Sequence, residues 1–393
     1  MSGMNKMLRA LIMMVPLCAV ATVAFAQTST SREYPYLYKS PRAMGMGGAY
    51  TAIGGRVDTL FYNPAGLSNI PKDKGWEVNL LNLSAETSKD GVNFYNDLLD
   101  AVKVGDLNNN GTATDDQQLA VNDVLNKYMG EYLHLRAADF TSFGKQGDSL
   151  AFGIGALVSG TVDAIPHQGF GPAGILEVDA NATYGAIGGI SFPLSSRLTL
   201  GLSAKYLYRE SVIHNFTPQE LVANYNNLDK FITEDLKKKG SALGFDAGAI
   251  YKFAPNSSWR PSLGVSVLNI GDLDFQDAGS IPMTVNAGVA VNPRIDRFRS
   301  LLIGLDYVDI TNGFTQDTDM AKRLRFGAEL QLFDREYIEL ALRAGMYQGY
   351  PTFGADLRLA TFLFSGTVYS EEVGAYAGQD KNTRYLLTFN FGW

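Results

Sequence analysis

Six charged residues, Arg325, Glu329, Glu339, Arg343, Asp356 and Arg358, sit in runs whose alternate positions are large and apolar. Leu324, Phe326, Ala328, Leu330 and Leu332 interleave with the first two, and Ile338, Leu340, Leu342 and Ala344 with the next two. Strand side chains alternate between faces, so all six charges share the polar side. Charges of both signs on neighbouring strands form a paired network that stiffens a wall or pins an inserted segment. An Arg left over from such pairing would suit a substrate carboxylate.

Two other chemistries are written in the chain. Asp106, Asn108 and Asn110 place oxygen ligands at positions one, three and five of a loop, with Gly111 at six and Thr112 at seven. That is the spacing of an EF-hand-like calcium loop. Position twelve is Gln117, so the bidentate carboxylate is absent unless Asp116 serves in a shifted register. The expectation is a structural calcium in the 106–117 loop, and no cofactor that the protein requires. Asn-Gly runs are also good turns, which is the plain alternative. The third chemistry is catalytic, and it fails. His134, His167 and His214 have no G-x-S-x-G or H-E-x-x-H context, and Cys18 is the only cysteine, so the chain reads as a non-enzyme.

The elements that position these residues are strands. Period-two segments run near 76–86, 133–143, 149–162, 178–192, 197–210, 241–254, 260–270 and 281–292. Six more follow near 299–310, 322–333, 336–346, 351–359, 361–371 and 383–393, which makes fourteen, each near the ten residues a tilted strand needs to cross a bilayer. Leu198, Leu200, Leu202, Ala204, Tyr206 and Tyr208 face lipid, opposite Thr199, Gly201, Ser203, Lys205 and Arg209. The last run alternates Tyr385, Leu387, Phe389, Phe391 and Trp393 with smaller or polar residues. It looks like the C-terminal signal that outer-membrane barrels present to their insertion machinery.

Connections alternate as well. Gly144–Asp148, Pro193–Ser196, Pro255–Trp259, Pro293–Phe298 and Asp334–Arg335 are short, whereas 87–132, 163–177, 211–240, 271–280 and 311–321 are long. Short periplasmic turns and long outer loops are the barrel rule, and they place both termini in the periplasm. Two outer loops carry helical spacing. Loop 87–132 has Phe94, Leu98, Leu99 and Val102, then Leu119, Val121, Val124, Leu125 and Tyr128. In 211–240, Pro218 opens a helix with Leu221, Val222, Tyr225, Leu228, Ile232 and Leu236, closed by Lys237–Lys239 and Gly240. Either these apolar faces cover each other, or Phe94, Leu98, Leu221 and Tyr225 line an open groove that captures a hydrophobic ligand.

Lys6 and Arg9 precede an apolar run that ends at Ala24-Phe25-Ala26, which reads as a secretory signal peptide over residues 1–26. It takes two of the 33 basic residues and none of the 40 acidic ones, so the mature chain is more acidic than the formal −7. An exported acidic chain without a basic run is no nucleic-acid binder. The expected organisation is signal peptide 1–26, plug 27–75 and transmembrane barrel 76–393, an all-β outer-membrane protein of a Gram-negative-type bacterium with outer-membrane lipid around it.

The plug region carries Gly45-Met46-Gly47-Gly48-Ala49 and then Phe61-Tyr62-Asn63-Pro64-Ala65-Gly66-Leu67. This pair resembles the hatch of the FadL-type hydrophobic-compound transporters, a signature shared by PorV/PorQ-like and TraF-like barrels. The resemblance implies a hatch inside a fourteen-stranded barrel, with Gly45, Gly47, Gly48, Asn63, Pro64 and Ala65 in it. It also implies passive uptake of long-chain fatty acids or hydrocarbons. The alternative it implies is a docking or shuttle component that holds a protein partner of a secretion or conjugation apparatus.

Overall fold

The computed structural model describes residues 32–103, 115–169, 174–223, 236–296, 299–335 and 338–393. The expected signal peptide, residues 1–26, lies outside them. Fourteen strands among the described residues pair antiparallel in chain order: β1 (Trp76–Ser88), β2 (Leu133–Gln146), β3 (Ala151–Gln168), β4 (Gly174–Pro193), β5 (Leu198–Phe216), β6 (Lys238–Lys252) and β7 (Ser262–Leu268). The second half is β8 (Thr284–Val291), β9 (Arg299–Tyr307), β10 (Leu324–Arg335), β11 (Ile338–Tyr347), β12 (Tyr350–Leu359), β13 (Phe362–Glu372) and β14 (Lys381–Gly392). β14 returns to β1, where Leu83 pairs with Phe389 and Val78 exchanges backbone bonds with Trp393, so the sheet closes into a barrel without an edge.

The alternation decides what faces where. Leu202, Tyr206, Phe326, Leu342, Phe364 and Leu387 are exposed on the outside, while Ser203, Lys205, Arg325, Glu329, Arg343 and Thr388 are buried inside. In a bilayer the exposed set meets lipid, which is its favourable solvent.

The structure departs from the sequence reading in three places. β3, β4 and β5 run 18, 20 and 19 residues, so the anticipated loop 163–177 is mostly hairpin. Lys238, Lys239 and Gly240 do not close a helix. They belong to β6, where Ser211, Glu210 and Arg209 of β5 supply their ladder partners. The β1 register slips against both neighbours around Asn79–Leu83, which leaves Leu80 and Leu81 both exposed. There the Asp139 carboxylate accepts the Asn82 N–H at 2.8 Å, replacing a lost ladder bond.

Residues 32–75 contain one short helix, α1 (Pro41–Gly45), and 3-10 turns at Val57–Phe61 and Pro64–Asn69. Ser40 caps α1 and Pro41 opens it. This segment meets Glu86 of β1, Arg136 of β2, Gly153 of β3, Gly189 of β4, Gly201 of β5, Gly248 of β6 and Gly264 of β7. It also meets Ala290 of β8, Asp306 of β9, Glu329 of β10, Gly345 of β11, Asp356 of β12, Thr367 of β13 and Arg384 of β14. Only the lumen touches all fourteen strands. Its apolar side (Tyr38, Val57, Leu60, Leu67) shares a core with Phe140, Leu157, Ile187 and Leu207 of the wall.

Candidate functional site

The lumenal segment is held by two different chemistries. Around β5–β7 the wall is glycine and the contact is backbone to backbone. A Cβ on Gly201 would lie 2.1 Å from the Ala65 nitrogen, and one on Gly248 would lie 1.9 Å from Asn63 Oδ1. Only glycine admits so close an approach. Asn63 is fully buried and caps the 3-10 turn that Pro64 opens. Its Oδ1 accepts the Ala65 N–H at 3.0 Å, and its Nδ2 donates to Thr51 O at 2.7 Å and to Ala249 O and Val265 O at 3.3 Å. The side chain thus ties two parts of the segment to two strands.

Around β10–β12 the contact is ionic. Arg42 donates Nε and Nη2 to the two Glu329 oxygens at 2.9 and 2.7 Å. Arg343 places Nη1 and Nη2 on Asp356 at 2.6 and 2.7 Å, and Nε on Glu329 at 2.6 Å. Arg56 reaches Asp356 at 3.0 Å and Glu339 at 3.3 Å, and Arg358 reaches Glu339 at 3.2 Å. Paired forks satisfy both oxygens and several guanidinium protons at once, which is what burial of such charges demands. The structure brings all six sequence-selected charges inward. Arg325 stands apart from the other five. Its guanidinium lies over the Tyr347 ring at 3.9 Å and donates to the Lys322 carbonyl.

Gly45 and Gly47 press on the same side of the wall. Gly47 adopts φ +63, and a Cβ there would be 2.3 Å from the Met346 carbonyl oxygen, so geometry and conformation both require glycine. Gly48 follows at φ +80 against Tyr347, and Ala65 is buried.

A fourteen-stranded barrel filled by its own N-terminal segment can be compared with solved structures. The TodX deltaS2S3 mutant, a monoaromatic hydrocarbon channel, superposes with a TM-score of 0.50 at 11% identity, over 90% of this chain and 99% of that one. The TodX deltaS2 mutant matches at 0.50 and 12% identity, over 93% and 100%. The fold is that of these two channels. No family model matches the sequence, and no curated protein matches it.

Two cavities stand out among the described residues. One of about 90 Å³ lies in the lumen between the segment and the wall, among Tyr34, Tyr38, Phe61, Tyr62, Phe314 and Tyr347. Ligand pockets are usually several hundred Å³, so a long-chain ligand does not fit it with the segment in place. The larger, about 840 Å³, is on the outer surface of the wall beside the β1 irregularity, lined by exposed side chains such as Leu83, Val158, Tyr184, Phe364 and Leu387. Its exposed lining is apolar, and Asp356 of the charged network and the buried Ser84, Ser159 and Thr388 line it as well.

The outer helices are α2 (Gly91–Val102), α3 (Asp115–Lys127) and α4 (Pro218–Ala223). Phe94 and Leu221 are buried, with Leu98 packed against them, in one core with Val121, Leu125, Leu176 and Phe216. The described apolar faces cover each other, so Phe94, Leu98 and Leu221 do not line an open groove. Tyr225 lies outside the described residues. Asp97 of α2 accepts from Lys127 at 2.6 Å and Tyr128 at 2.8 Å, and these bonds hold its carboxyl below the usual range. Of the calcium-loop residues, Asp106, Asn108, Asn110 and Thr112 lie outside the described residues. Asp116 is exposed on the first turn of α3.

Sequence reasoning missed a second ionic cluster. Lys39 donates to Tyr369 at 2.9 Å and Glu371 at 3.1 Å and lies 3.5 Å from Glu86; Arg384 pairs with Glu33 at 2.7 Å. The signal was present. Arg384 shares the inward parity of Leu386, Thr388 and Asn390, opposite the aromatic stripe of β14, and Glu86 has the same relation to Thr87 and Ala85. The partners Glu33, Lys39, Arg42 and Arg56 come from a segment without periodicity, which no facing rule reaches.

Proposed function

We propose that this chain is an outer-membrane channel for passive entry of hydrophobic small molecules, with residues 32–75 as a plug that shifts to let them pass. The observation that carries this reading is the filled lumen: a bilayer-spanning wall encloses a segment seated on glycines and ion pairs, in the fold of a monoaromatic hydrocarbon channel. The finer ligand, a long-chain fatty acid or a hydrocarbon, belongs to the proposal. Because the lumenal cavity is only about 90 Å³, passage of either requires the plug to give way.

The docking alternative draws support from the same ion pairs. A lumen whose charges are spent on fastening the plug suits a barrel that stays shut and holds a secretion partner. Native mass spectrometry of the mature barrel, purified in mild detergent from its own membrane, separates the two. A bound fatty acid or hydrocarbon that exchanges with added oleate or toluene supports the channel. An empty barrel arriving with a stoichiometric protein partner overturns it.

A further inference from the structure

We propose that the connection between β7 and β8 is a second closure of the lumen, a gate that folds in from the end bearing α2–α4 and acts in series with the plug. Residues 269–283 leave the wall at that end, because β1–β2 and β5–β6, which carry those helices, also join an odd strand to the next even one. The chain then turns inward. Leu273–Asp274 pairs antiparallel with Ser280–Ile281 in a small hairpin. Its Leu273, Phe275, Ala278 and Ile281 are buried, while Asp274, Gln276, Asp277 and Ser280 are exposed. The four buried residues belong to the core shared by Tyr38, Leu60 and Leu67 of the plug and Phe140 of the wall, and the apolar area they remove from water holds the hairpin in.

β6 carries seats for both closures. A Cβ on Gly240 would lie 1.6 Å from the Phe275 carbonyl oxygen, and one on Gly244 would lie 2.7 Å from Leu273 Cδ1, whereas Gly248 receives Asn63 of the plug. Arg209 of β5 lays its guanidinium over the Phe275 ring at 4.4 Å. The neck is a pair of turns. Asn269 and Asp272 adopt φ +55 and +65, left-handed backbone that Asn and Asp tolerate. Asp272 Oδ1 accepts the Met283 N–H at 2.7 Å, and Asn269 Nδ2 donates to Pro282 O at 3.3 Å and to Tyr34 Oη at 3.1 Å. Tyr34, which donates in turn to Pro282 O at 3.1 Å, links this neck to the plug. The cavity of about 90 Å³ lies where the two closures meet, with Asn269 and Ile281 on one side and Tyr34, Tyr38 and Phe61 on the other. A molecule arriving from the helix-bearing end therefore displaces the hairpin before it meets the plug.

The gating role rests on the channel reading, but the closure is tested without uptake, so the two fail separately. Thr284 of β8 is buried and lines the cavity. Thr284→Cys is labelled with a water-soluble maleimide in the detergent-solubilised mature barrel, while hydrogen exchange of residues 57–70 reports the plug. With the hairpin intact, labelling is slow against the exposed reference Asp277→Cys. Adding Leu273→Ala with Phe275→Ala removes the anchors and speeds labelling by about tenfold or more, with 57–70 protected as before. Labelling as fast as the reference with the hairpin intact, unchanged labelling in the anchor variant, or lost protection at 57–70 overturns a closure separate from the plug. Where the anchor variant does not assemble, replacing Asp274–Gly279 by two glycines gives the same acceleration, and unchanged labelling there overturns it equally.

Discussion

The plug meets its wall in two ways, and the two faces are not equivalent. On β5–β7 it is seated by shape: missing Cβ atoms and one buried amide, Asn63, hold Pro64 and Ala65 against the strands. On β10–β14 and β1 charge is added, through Arg42, Arg56, Lys39 and Glu33, to a glycine seat at Gly327 and Gly345 against Met46 and Gly47. Shape cannot be switched without moving a strand. A buried ion pair can be switched by a proton or a competing ligand, because the desolvation already incurred leaves it close to balance. If the plug moves as proposed, its ion pairs are the contacts that a proton or a competing ligand can release.

The largest expected break in that contrast is Arg343→Met. It takes one cation from each of Glu329 and Asp356, both buried, leaves them only Arg42 and Arg56, and should cost about 3–5 kcal/mol. Thermal unfolding followed by gel mobility reads the loss. Gly248→Ala attacks the other face, where the new methyl displaces Asn63, and overpacking of this kind costs about 1–3 kcal/mol. If it proves as damaging as Arg343→Met, the two faces are energetically alike and the contrast fails. In double mutants, Gly248→Ala and Asn63→Ala should be non-additive because they share one contact, whereas Gly248→Ala and Arg343→Met should add.

Smaller effects belong to the outer surface, away from both faces. Glu372 accepts four backbone N–H groups of residues 374–380, at 2.7 to 2.9 Å. Glu372→Gln should open that loop to protease while leaving plug protection unchanged. Smallest is Asp97. Its carboxyl is depressed by Lys127 and Tyr128, so its contribution is present above the ordinary carboxylate pKa of about 3.9 and fades as pH falls through the lower folded value. Below about pH 4, α2 should exchange amides faster than α3, and Asp97→Asn should remove that difference.

The sequence made the wall legible and the plug only partly so. Facing along β5, β10, β11 and β14 could be read because lipid forbids charge on one side of a strand, and every second residue obeys. Asn63 and Pro64 stood out by their motif. The lengths of β3–β5 were not readable, because polar residues past the bilayer continue a ladder as well as they form a loop. Arg42 and Arg56 were invisible as partners: their pairing with Glu329 and Asp356 spans 287 and 300 residues and follows no period. Phe94 and Leu221 looked like a ligand surface because amphipathic spacing does not say which neighbour covers a face.

The central claim is that hydrophobic molecules pass only when the plug moves. Cys18 is the sole cysteine and lies in the predicted signal segment, so an added pair is free of competing thiols. Ser68 and Ser191 touch through their hydroxyls, joining the plug to β4. Proteoliposomes carrying Ser68→Cys with Ser191→Cys should take up labelled toluene or oleate when reduced. On oxidation uptake should fall to the protein-free background, and dithiothreitol should restore it. Uptake that continues unchanged with the plug locked to the wall would contradict the account.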